Sequence, residues 1–322
     1  LPNQSSEFQI NSKRNKTQID SSHFYHKIVG KTFATSNTKA LINNLKPTID
    51  ANPFHSLFET SDSKSIASIV FRSDSPNYSK LLLSYPKKDS IKNDDYILFD
   101  LDYSDKNLQY NGLIRFSDTL SNELHSFKNT IPQKINTLRI APNNTKSLIS
   151  LTYDDFSVFK NNLNQHFGRV ADSTSSFLNF TTEIARIDQL LVLHTLDPNL
   201  AIEAIEEKTA LETFRDIDIF EFGMPNFFES QFTPFFTYDT ANYFASYDEF
   251  ILFAESITTL KTTLSKVLNN NTLSHNEALK TINDGLSDEA SVFIFENSQG
   301  LSEVMSTSLD DYKANAVQLI YE

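Results

Sequence analysis

The chain has 322 residues, a formal net charge of −13, no cysteine and six glycines. The lack of cysteine excludes disulfide bonds, thiolate catalysis and cysteine zinc sites, and an acidic chain without a basic stripe offers no electrostatic surface to nucleic acid or anionic lipid. Six scattered glycines leave no phosphate-binding loop and no nucleophile elbow, and no apolar run is long enough to span a membrane.

The first part of the chain predicts strands linked by polar turns. Residues 24–36 predict two strands that turn near Gly30, because glycine supplies the positive φ that hairpin turns need. Asn37 or Thr38 can cap the helix that follows, and Pro47 bounds that helix. Further strands are predicted at 66–72, 81–85, 96–103 and 110–116, followed by a helix-then-loop bridge at 118–137.

The second part predicts a new alternation of strands and helices. Residues 148–153 predict a strand, and the spacing of Phe156, Phe159 and Leu163 predicts an amphipathic helix after it. The later predicted elements are a buried strand at 190–194, an acidic helix at 201–207, one half-buried alternating strand at 214–222 and a last strand at 315–321.

Two stretches of the chain repeat. Residues 24–45 align without a gap with residues 243–264, and residues 67–71 align with residues 290–294. A repeat of this size indicates one module used more than once. We therefore expect an α+β fold of tandem repeated modules, each an antiparallel β-sheet with helices packed mainly on one face.

The boundary between the modules is predicted in the loop at Pro132. Residues 1–137 would hold the C-terminal half of a first module plus a strand meander, and residues 138–322 a second module cut short at its C-terminus. Residues 138–242 have no counterpart before residue 1, and the strand at 315–321 has no successor. The sequence therefore predicts that the native polypeptide continues beyond both ends.

The order of these motifs resembles a known class of proteins. The residues that carry the resemblance are 141–156, 243–264, 286–295 and Asn111-Gly112-Leu113. They resemble uncharacterised exported repeat-module proteins of the Bacteroidota, a class known only as domains of unknown function. The resemblance implies an extracytoplasmic location, in the periplasm or at the cell surface, with a lipid anchor upstream of this chain. No catalytic residues are known for that class, so none is carried over.

Two groups of acidic residues are candidates for chemistry. Asp100, Asp102 and Asp105 surround a strand end and could bind a hard cation such as Ca²⁺, although the loop lacks the central Gly and terminal Glu of an EF-hand. An ordinary polar turn is the alternative. Asp216 and Asp218 would share one face of the alternating strand, where they could act as an acid–base pair or simply face solvent. No histidine has metal-ligand spacing on a helix, so neither a metal nor a cofactor is predicted.

An aromatic segment is the sharpest difference between the two copies. Its phenylalanines are Phe227, Phe228, Phe232, Phe235 and Phe236, and all but the first align with polar residues of the first copy. A fold that needed these side chains would carry them in both copies. They therefore predict a partner surface or an apolar ligand groove special to the second copy. The alternative is that they fill a core gap, because phenylalanine is usually buried.

The absence of any catalytic motif favours a non-enzymatic protein of the envelope or surface, which binds or assembles with a protein partner. The alternatives are an enzyme of unrecognised type, such as a hydrolase acting on an envelope polymer, and a carrier of an apolar ligand. Convergent titratable groups in a cleft would favour the enzyme, an exposed phenylalanine patch the partner, and an enclosed phenylalanine-lined cavity the carrier.

Overall fold

The computed structural model describes residues 6–15, 18–46, 53–72, 96–104, 107–115, 123–167, 176–233, 235, 241–283 and 286–297. Helices and strands both occur, and every ladder between the described strands is antiparallel, so the α+β prediction is confirmed. The chain divides into two compact units, Leu1–Ser65 and Ile66–Glu322. The predicted strands at 81–85 and 315–321 lie outside the described residues.

The first unit contains a three-stranded sheet and two short helices. Strands β1 (Ser6–Asn15), β2 (Gln18–Val29) and β3 (Thr32–Ser36) pair in chain order, and helices α1 (Lys39–Asn44) and α2 (Pro53–Phe58) follow. The β2–β3 hairpin turns at Gly30, whose φ of 61° is a conformation that glycine adopts without strain. Ile42 of α1 is buried, and the Lys27 ammonium in β2 donates to the carbonyl oxygen of Leu45 at 3.3 Å. Helix α1 therefore covers one face of this hairpin.

The second unit contains a small sheet whose strands largely match those predicted between residues 66 and 116. Its strands are β4 (Ala67–Arg72), β5 (Tyr96–Ser104) and β6 (Asn107–Arg115). Gly112 of β6 pairs with Phe99 of β5, and a Cβ there would overlap the carbonyl oxygen of Leu98. The sequence therefore needs glycine at this position for the two strands to approach.

A sheet of eight strands forms the body of the second unit. Its strands are β7 (Ser147–Thr152), β8 (Thr181–Ile187), β9 (Leu190–Thr195), β10 (Lys208–Phe214), β11 (Ile217–Phe222), β12 (Tyr243–Tyr247), β13 (Phe250–Ala254) and β14 (Val292–Glu296). They lie in the order β10-β11-β12-β13-β9-β8-β7-β14. Strands β9 and β13, which are far apart in the sequence, are therefore neighbours at the centre of the sheet.

Helices cover both faces of the eight-stranded sheet. Helices α3 (Phe156–Phe167), α4 (Pro198–Glu203) and α5 (Phe227–Phe232) cover one face, called the α5 face, and α6 (Ile257–Leu268) and α7 (Glu277–Asn283) cover the other, called the α6 face. Along β13, Ile251 and Phe253 join the α5 face, whereas Phe250 and Leu252 join the α6 face. The prediction of helices mainly on one face is therefore wrong. Strands β9 and β13 are apolar at consecutive positions, and such strands need cover on both sides.

Residues before β7 already contact α3 and the segment that leads into β14. The ring of Phe127, in a 3-10 helix (Glu123–Phe127), lies 5.1 Å from that of Phe159, measured between centroids. The backbone N–H of Ile135 donates to the carbonyl oxygen of Asp288 at 3.0 Å. The module boundary predicted at 137–138 therefore falls inside a segment that belongs to the second unit.

Two local elements differ from their predictions. The acidic helix begins at Pro198 rather than Ala201, because the Asp197 carboxylate accepts from the backbone N–H groups of Asn199 and Leu200. The strand predicted at 214–222 begins at Ile217, because Arg215 and Asp216 adopt left-handed φ values of 50° and 63° and turn the chain between β10, which ends at Phe214, and β11.

The β2–β3 and β12–β13 hairpins have the same register. Tyr25 pairs with Ser36 in the first, and Tyr243 with Ala254 in the second. Gly30 and Asp248 occupy the first turn position with φ values of 61° and 53°, and a helix begins three residues after the second strand in both. In this shared register residue 25 corresponds to residue 243, whereas the sequence alignment paired residue 24 with residue 243. A shift of one residue exchanges the two faces of a strand.

Candidate functional sites

The predicted aromatic surface is part of the protein's own core. Phe227, Phe228, Phe232 and Phe235 are all buried on the α5 face. The ring of Phe228 lies 4.8 Å from that of Phe253, measured between centroids. This arrangement fits the alternative in which these phenylalanines fill a gap in the core. A partner would reach these side chains only if α5 left the sheet. Phe236 lies outside the described residues.

Two of the three aspartates of the predicted cation site lie in the part of the chain that the structure describes. Asp100 is buried in β5 and accepts a hydrogen bond from the Ser68 hydroxyl at 2.5 Å, Asp102 follows on the same strand, and Asp105 lies outside the described residues. Among the residues that the structure describes, no three His, Asp or Glu side chains are placed to hold a metal ion.

The expected pair of Asp216 and Asp218 is corrected. Asp216 lies in the β10–β11 turn with a left-handed φ, and Asp218 lies in β11, where its carboxylate accepts from the Thr213 hydroxyl at 2.9 Å. The two carboxylates are therefore not neighbours on one strand face, and both residues are exposed to solvent.

His194 is the centre of a polar network at the end of β9. Its Nδ1 lies 2.9 Å from the hydroxyl of Thr182, the extra residue of a β-bulge in β8. Its Nε2 lies 3.5 Å from the Glu249 carboxylate, and the same carboxylate oxygen accepts from Arg139 at 2.7 Å. A second nitrogen of Arg139 bonds Asp248 at 2.5 Å. The network ties β9 to the β12–β13 turn.

Electrostatics in this network favour the ionised carboxylate. The hydrogen bond from Arg139 is the main cause that holds the pKa of Glu249 below its ordinary value, and the charge of Arg139 and the contact with His194 act in the same direction. Burial opposes them and is the second cause in size, although half of the Glu249 side chain is exposed.

A hydroxyl, an imidazole and a carboxylate in series are also the parts of a nucleophilic triad. Here the hydroxyl belongs to Thr182, which is only 7% exposed, and Arg139 neutralises the carboxylate. Neither Thr182 nor His194 lines the two clefts described next. The geometry therefore supports a structural tie more than a hydrolytic site.

A cleft of about 520 Å³, called the α6 cleft, lies beside helix α6. Its lining residues are Pro142, Asn144, Lys146, Ile187, Asp188, Gln189, Leu190, Thr258, Thr259, Thr262, Thr263 and Lys266. The floor is aliphatic and the walls carry hydroxyl, amide and charged groups. A volume of this size fits a small molecule.

A second cleft of about 510 Å³, called the α7 cleft, is lined by Lys134, Ile135, Asn136, Leu138, Arg139, Leu273, Ser274, Leu279 and Lys280. Two of its cations are neutralised within the protein. Arg139 pairs with Asp248 and Glu249, and Lys280 pairs with Glu277 at 2.8 Å. The two clefts thus have similar size.

The first unit exposes an apolar cross-strand pair. Ile28 of β2 lies directly opposite Phe33 of β3, and the two residues are 65% and 58% exposed. Lys27 and Ala34, on the opposite face, are buried and partly buried under α1. One face of this hairpin is therefore covered and the other is open.

Sequence reasoning missed the His194 network and the exposed Ile28–Phe33 pair. The polar partners of His194 come from two other segments, and Arg139 adds a third to the network. The only local signal was an apolar strand that ends in a histidine. The alignment used for the repeat paired Phe33 with Leu252, whereas the shared register pairs it with Ile251 on the opposite face. The contrast between an open and a covered face becomes visible only in the structure.

The fold and these sites define an α+β protein with an antiparallel sheet covered by helices on both faces, preceded by a smaller sheet unit. No family model, no curated protein and no solved structure matches the chain. A search of the described part of the chain finds no helix with the length and apolarity required to cross a membrane.

Proposed function

We propose that this protein is a binding or assembly module, which receives a protein partner on the open face and free edge of its β2–β3 hairpin. The observation that carries the proposal is the exposure of Ile28 and Phe33 as a directly opposed apolar pair. Contact of an apolar pair with water is unfavourable, so covering the pair with another apolar surface would be favourable.

The second unit provides a reference for what such a hairpin requires. By register, Ile28 and Phe33 correspond to Ser246 and Ile251 of the β12–β13 hairpin. Ile251 is fully buried on the α5 face. Helices α3, α4 and α5 supply that cover. The proposal treats the two hairpins as copies of one repeated module, of which the first is complemented by a partner.

The edge of the hairpin supports the same interpretation. On the side away from β12, strand β13 pairs with β9 through five residue pairs from Phe250 to Ala254. Among the described residues, the corresponding strand β3 pairs only with β2. An edge strand with open N–H and C=O groups accepts an added strand from another protein.

The partner chemistry follows from these two features. The partner contributes an antiparallel strand alongside β3 and an apolar helix over Ile28 and Phe33, as β9 and α5 do in the second unit. A location outside the cytoplasm, in the periplasm or at the cell surface, is part of this proposal. It is supported by the resemblance of the motifs to exported proteins, and cell fractionation tests it.

Site-specific photo-crosslinking tests the interaction. The substitution Phe33→p-benzoylphenylalanine is made in the full-length protein in its native cells, and Leu196→p-benzoylphenylalanine is the matched control. Leu196 is 75% exposed in the second unit, outside the proposed surface. We expect one discrete adduct from position 33, with the linked peptide in an apolar helix or strand of another protein, and no such adduct from position 196.

Three results would contradict the proposal. They are the absence of any adduct at position 33, the same adducts from both positions, and an adduct with a second copy of this chain. The complex found by crosslinking is then purified with Phe33→Ser and with Leu196→Ser. Loss of the complex only in Phe33→Ser supports the hairpin surface, with circular dichroism confirming that both variants fold.

A further inference from the structure

The wall of the α6 cleft contains a row of polar groups with a cation at its end. Thr258, Thr262 and Lys266 follow one another at intervals of four residues along α6, so they lie on one side of the helix. Eight residues of α-helix span roughly 12 Å. This wall therefore presents two exposed hydroxyls and then an ammonium over the length of a small organic molecule.

Asp188, which also lines the α6 cleft, is held by two backbone N–H groups. Its carboxylate accepts from the backbone N–H of Lys146 at 3.1 Å and from that of Ser147 at 3.0 Å. These bonds fix the β8–β9 turn against the start of β7. Its carboxylate is therefore partly engaged before any ligand arrives.

Lys266 has a neutral partner. Its ammonium donates to the side-chain oxygen of Asn144 at 2.6 Å, an amide rather than a carboxylate. The anion contact of the α6 cleft is therefore assigned to Lys266, whose described partner is an amide. In the α7 cleft, Arg139 and Lys280 are paired with carboxylates.

The floor of the α6 cleft is preformed. Ile187 and Leu190 are buried in the sheet, and Thr263 is buried on α6. A rigid aliphatic floor with a few polar groups above it is the usual composition of a small-molecule site. The cation at one end and the hydroxyls beside it then determine which molecule fits.

We infer that the α6 cleft binds a small hydroxylated organic anion, with its oxyanion at Lys266 and its hydroxyl groups along Thr258 and Thr262. A sugar acid and a sugar phosphate share this chemistry. The site is separate from the β2–β3 surface and does not depend on the proposed function.

Calorimetric titration tests this inference with three probes of similar size: D-glucuronate, D-glucose 6-phosphate and D-glucose. The variant Lys266→Gln removes the proposed anion contact. Lys261→Gln is the matched control, since it removes the same charge from the same helix, at a residue that pairs with Glu212 instead. Thermal unfolding checks that both variants fold as the wild type does.

We expect at least one anion to bind with a Kd on the order of 1 mM or tighter and glucose to bind about tenfold more weakly. Lys266→Gln should weaken anion binding about tenfold, since it removes a charge-assisted hydrogen bond, while Lys261→Gln should leave it unchanged. Whichever anion binds more tightly identifies the carboxylate or the phosphate as the natural group.

The inference is overturned by equal binding of glucose and the anions, by equal losses in the two lysine variants, or by no anion binding up to about 10 mM. The variant Thr262→Val provides a second check that keeps every charge. It should weaken the hydroxylated anions but not acetate, whereas equal effects on all of them would exclude a role for the hydroxyl row.

Discussion

The β2–β3 and β12–β13 hairpins share a register and a turn position but have very different surroundings. All five residues of β13 are buried, whereas no residue of β3 is. Strand β13 has a neighbour on each side and helices on both faces. Strand β3 has a described neighbour on one side, and its hairpin is covered by α1 on one face.

The comparison shows that a hairpin's register is local and its burial is not. Register follows from the turn and from the alternation of side chains, which both hairpins have. Burial depends on strands and helices from distant segments. The residues reflect this, because β13 is apolar at every position while β3 is apolar at only two of five. Four experiments test this contrast.

The largest expected effect is on the aromatic cover of the second hairpin. Phe228 is fully buried, with its ring against those of Phe253 and Phe222. Phe228→Ala should lower the free energy of unfolding by about 3–5 kcal/mol, because it removes buried apolar surface and leaves a cavity. Phe33→Ala, at the exposed position of the first hairpin, should change it by less than about 0.5 kcal/mol. Urea denaturation followed by circular dichroism measures both.

A similar loss in the two variants would contradict the contrast between an open and a covered face. Phe228→Leu is the conservative control, since it keeps most of the apolar volume. It should recover at least half of the stability lost in Phe228→Ala, if packing rather than a specific ring contact is responsible.

The second prediction compares a buried charged residue from each of the two sheets that contain these hairpins. Glu183 is fully buried, and its carboxylate accepts hydrogen bonds from the backbone N–H groups of Asn136 and Thr137 and from the hydroxyls of Thr137 and Ser150. Glu183→Ala leaves these donors without their acceptor and should cost about 3 kcal/mol. Lys27→Met should cost less than about 1 kcal/mol, because Lys27 makes one bond to a carbonyl oxygen and methionine can fill its place.

Urea denaturation again measures these changes. Hydrogen exchange at Asn136 and Thr137 adds a local test, because their amides should exchange faster in Glu183→Ala. Unchanged protection at both amides would mean that the segment before β7 is held by packing rather than by this carboxylate.

Much of the secondary structure could be predicted from local patterns. The spacing of Phe156, Phe159 and Leu163 predicts α3, and the apolar run at 190–194 predicts β9. The turn at Arg215 and Asp216 was missed, because neither residue is a glycine. Phe214 and Ile217 pair across it and are three residues apart, so the two-residue turn shifts the phase of the alternation, and that break was the signal available in the sequence.

The layers of the fold and the candidate sites could not be predicted in the same way. Continuous apolar strands signal two covered faces, but an alignment shifted by one residue placed Phe33 on the wrong face. The buried role of the phenylalanines at 227–235 depends on the sheet that they cover. The α6 cleft likewise combines groups from three segments, which no spacing in the sequence connects.

The third prediction concerns the turns of the two hairpins. Gly30 has a φ of 61° and no atom within 4 Å of a Cβ built on it, so substitution there costs backbone strain alone. Gly30→Val should lower the free energy of unfolding by about 1–2 kcal/mol, while Gly30→Asn should cost about half as much, because asparagine tolerates left-handed φ. Thermal unfolding measures the difference. Equal costs for valine and asparagine would show that the turn changes conformation on substitution, and that it differs from the turn at Asp248.

The smallest expected effect is a pH dependence special to the second hairpin. Arg139 lowers the pKa of Glu249 in the folded protein below its ordinary value of 4.5, so the unfolded chain binds that proton more tightly. The stabilisation is therefore complete above pH 4.5 and is lost as the pH falls through the folded pKa. The Glu249 side chain is half exposed, which limits the effect to less than about 1 kcal/mol.

Unfolding of the wild type and of Glu249→Gln at pH values above and below this range isolates the contribution. The difference in stability between the two proteins should shrink as the pH falls, and it should shrink in the same way on adding about 0.5 M NaCl, because exposed charges are screened. Arg139→Gln should remove most of the dependence on Glu249, because Arg139 is the main cause of the lowered pKa and His194 a smaller one. If the dependence persists undiminished in that variant, the contact with His194 and not the one with Arg139 controls the carboxylate.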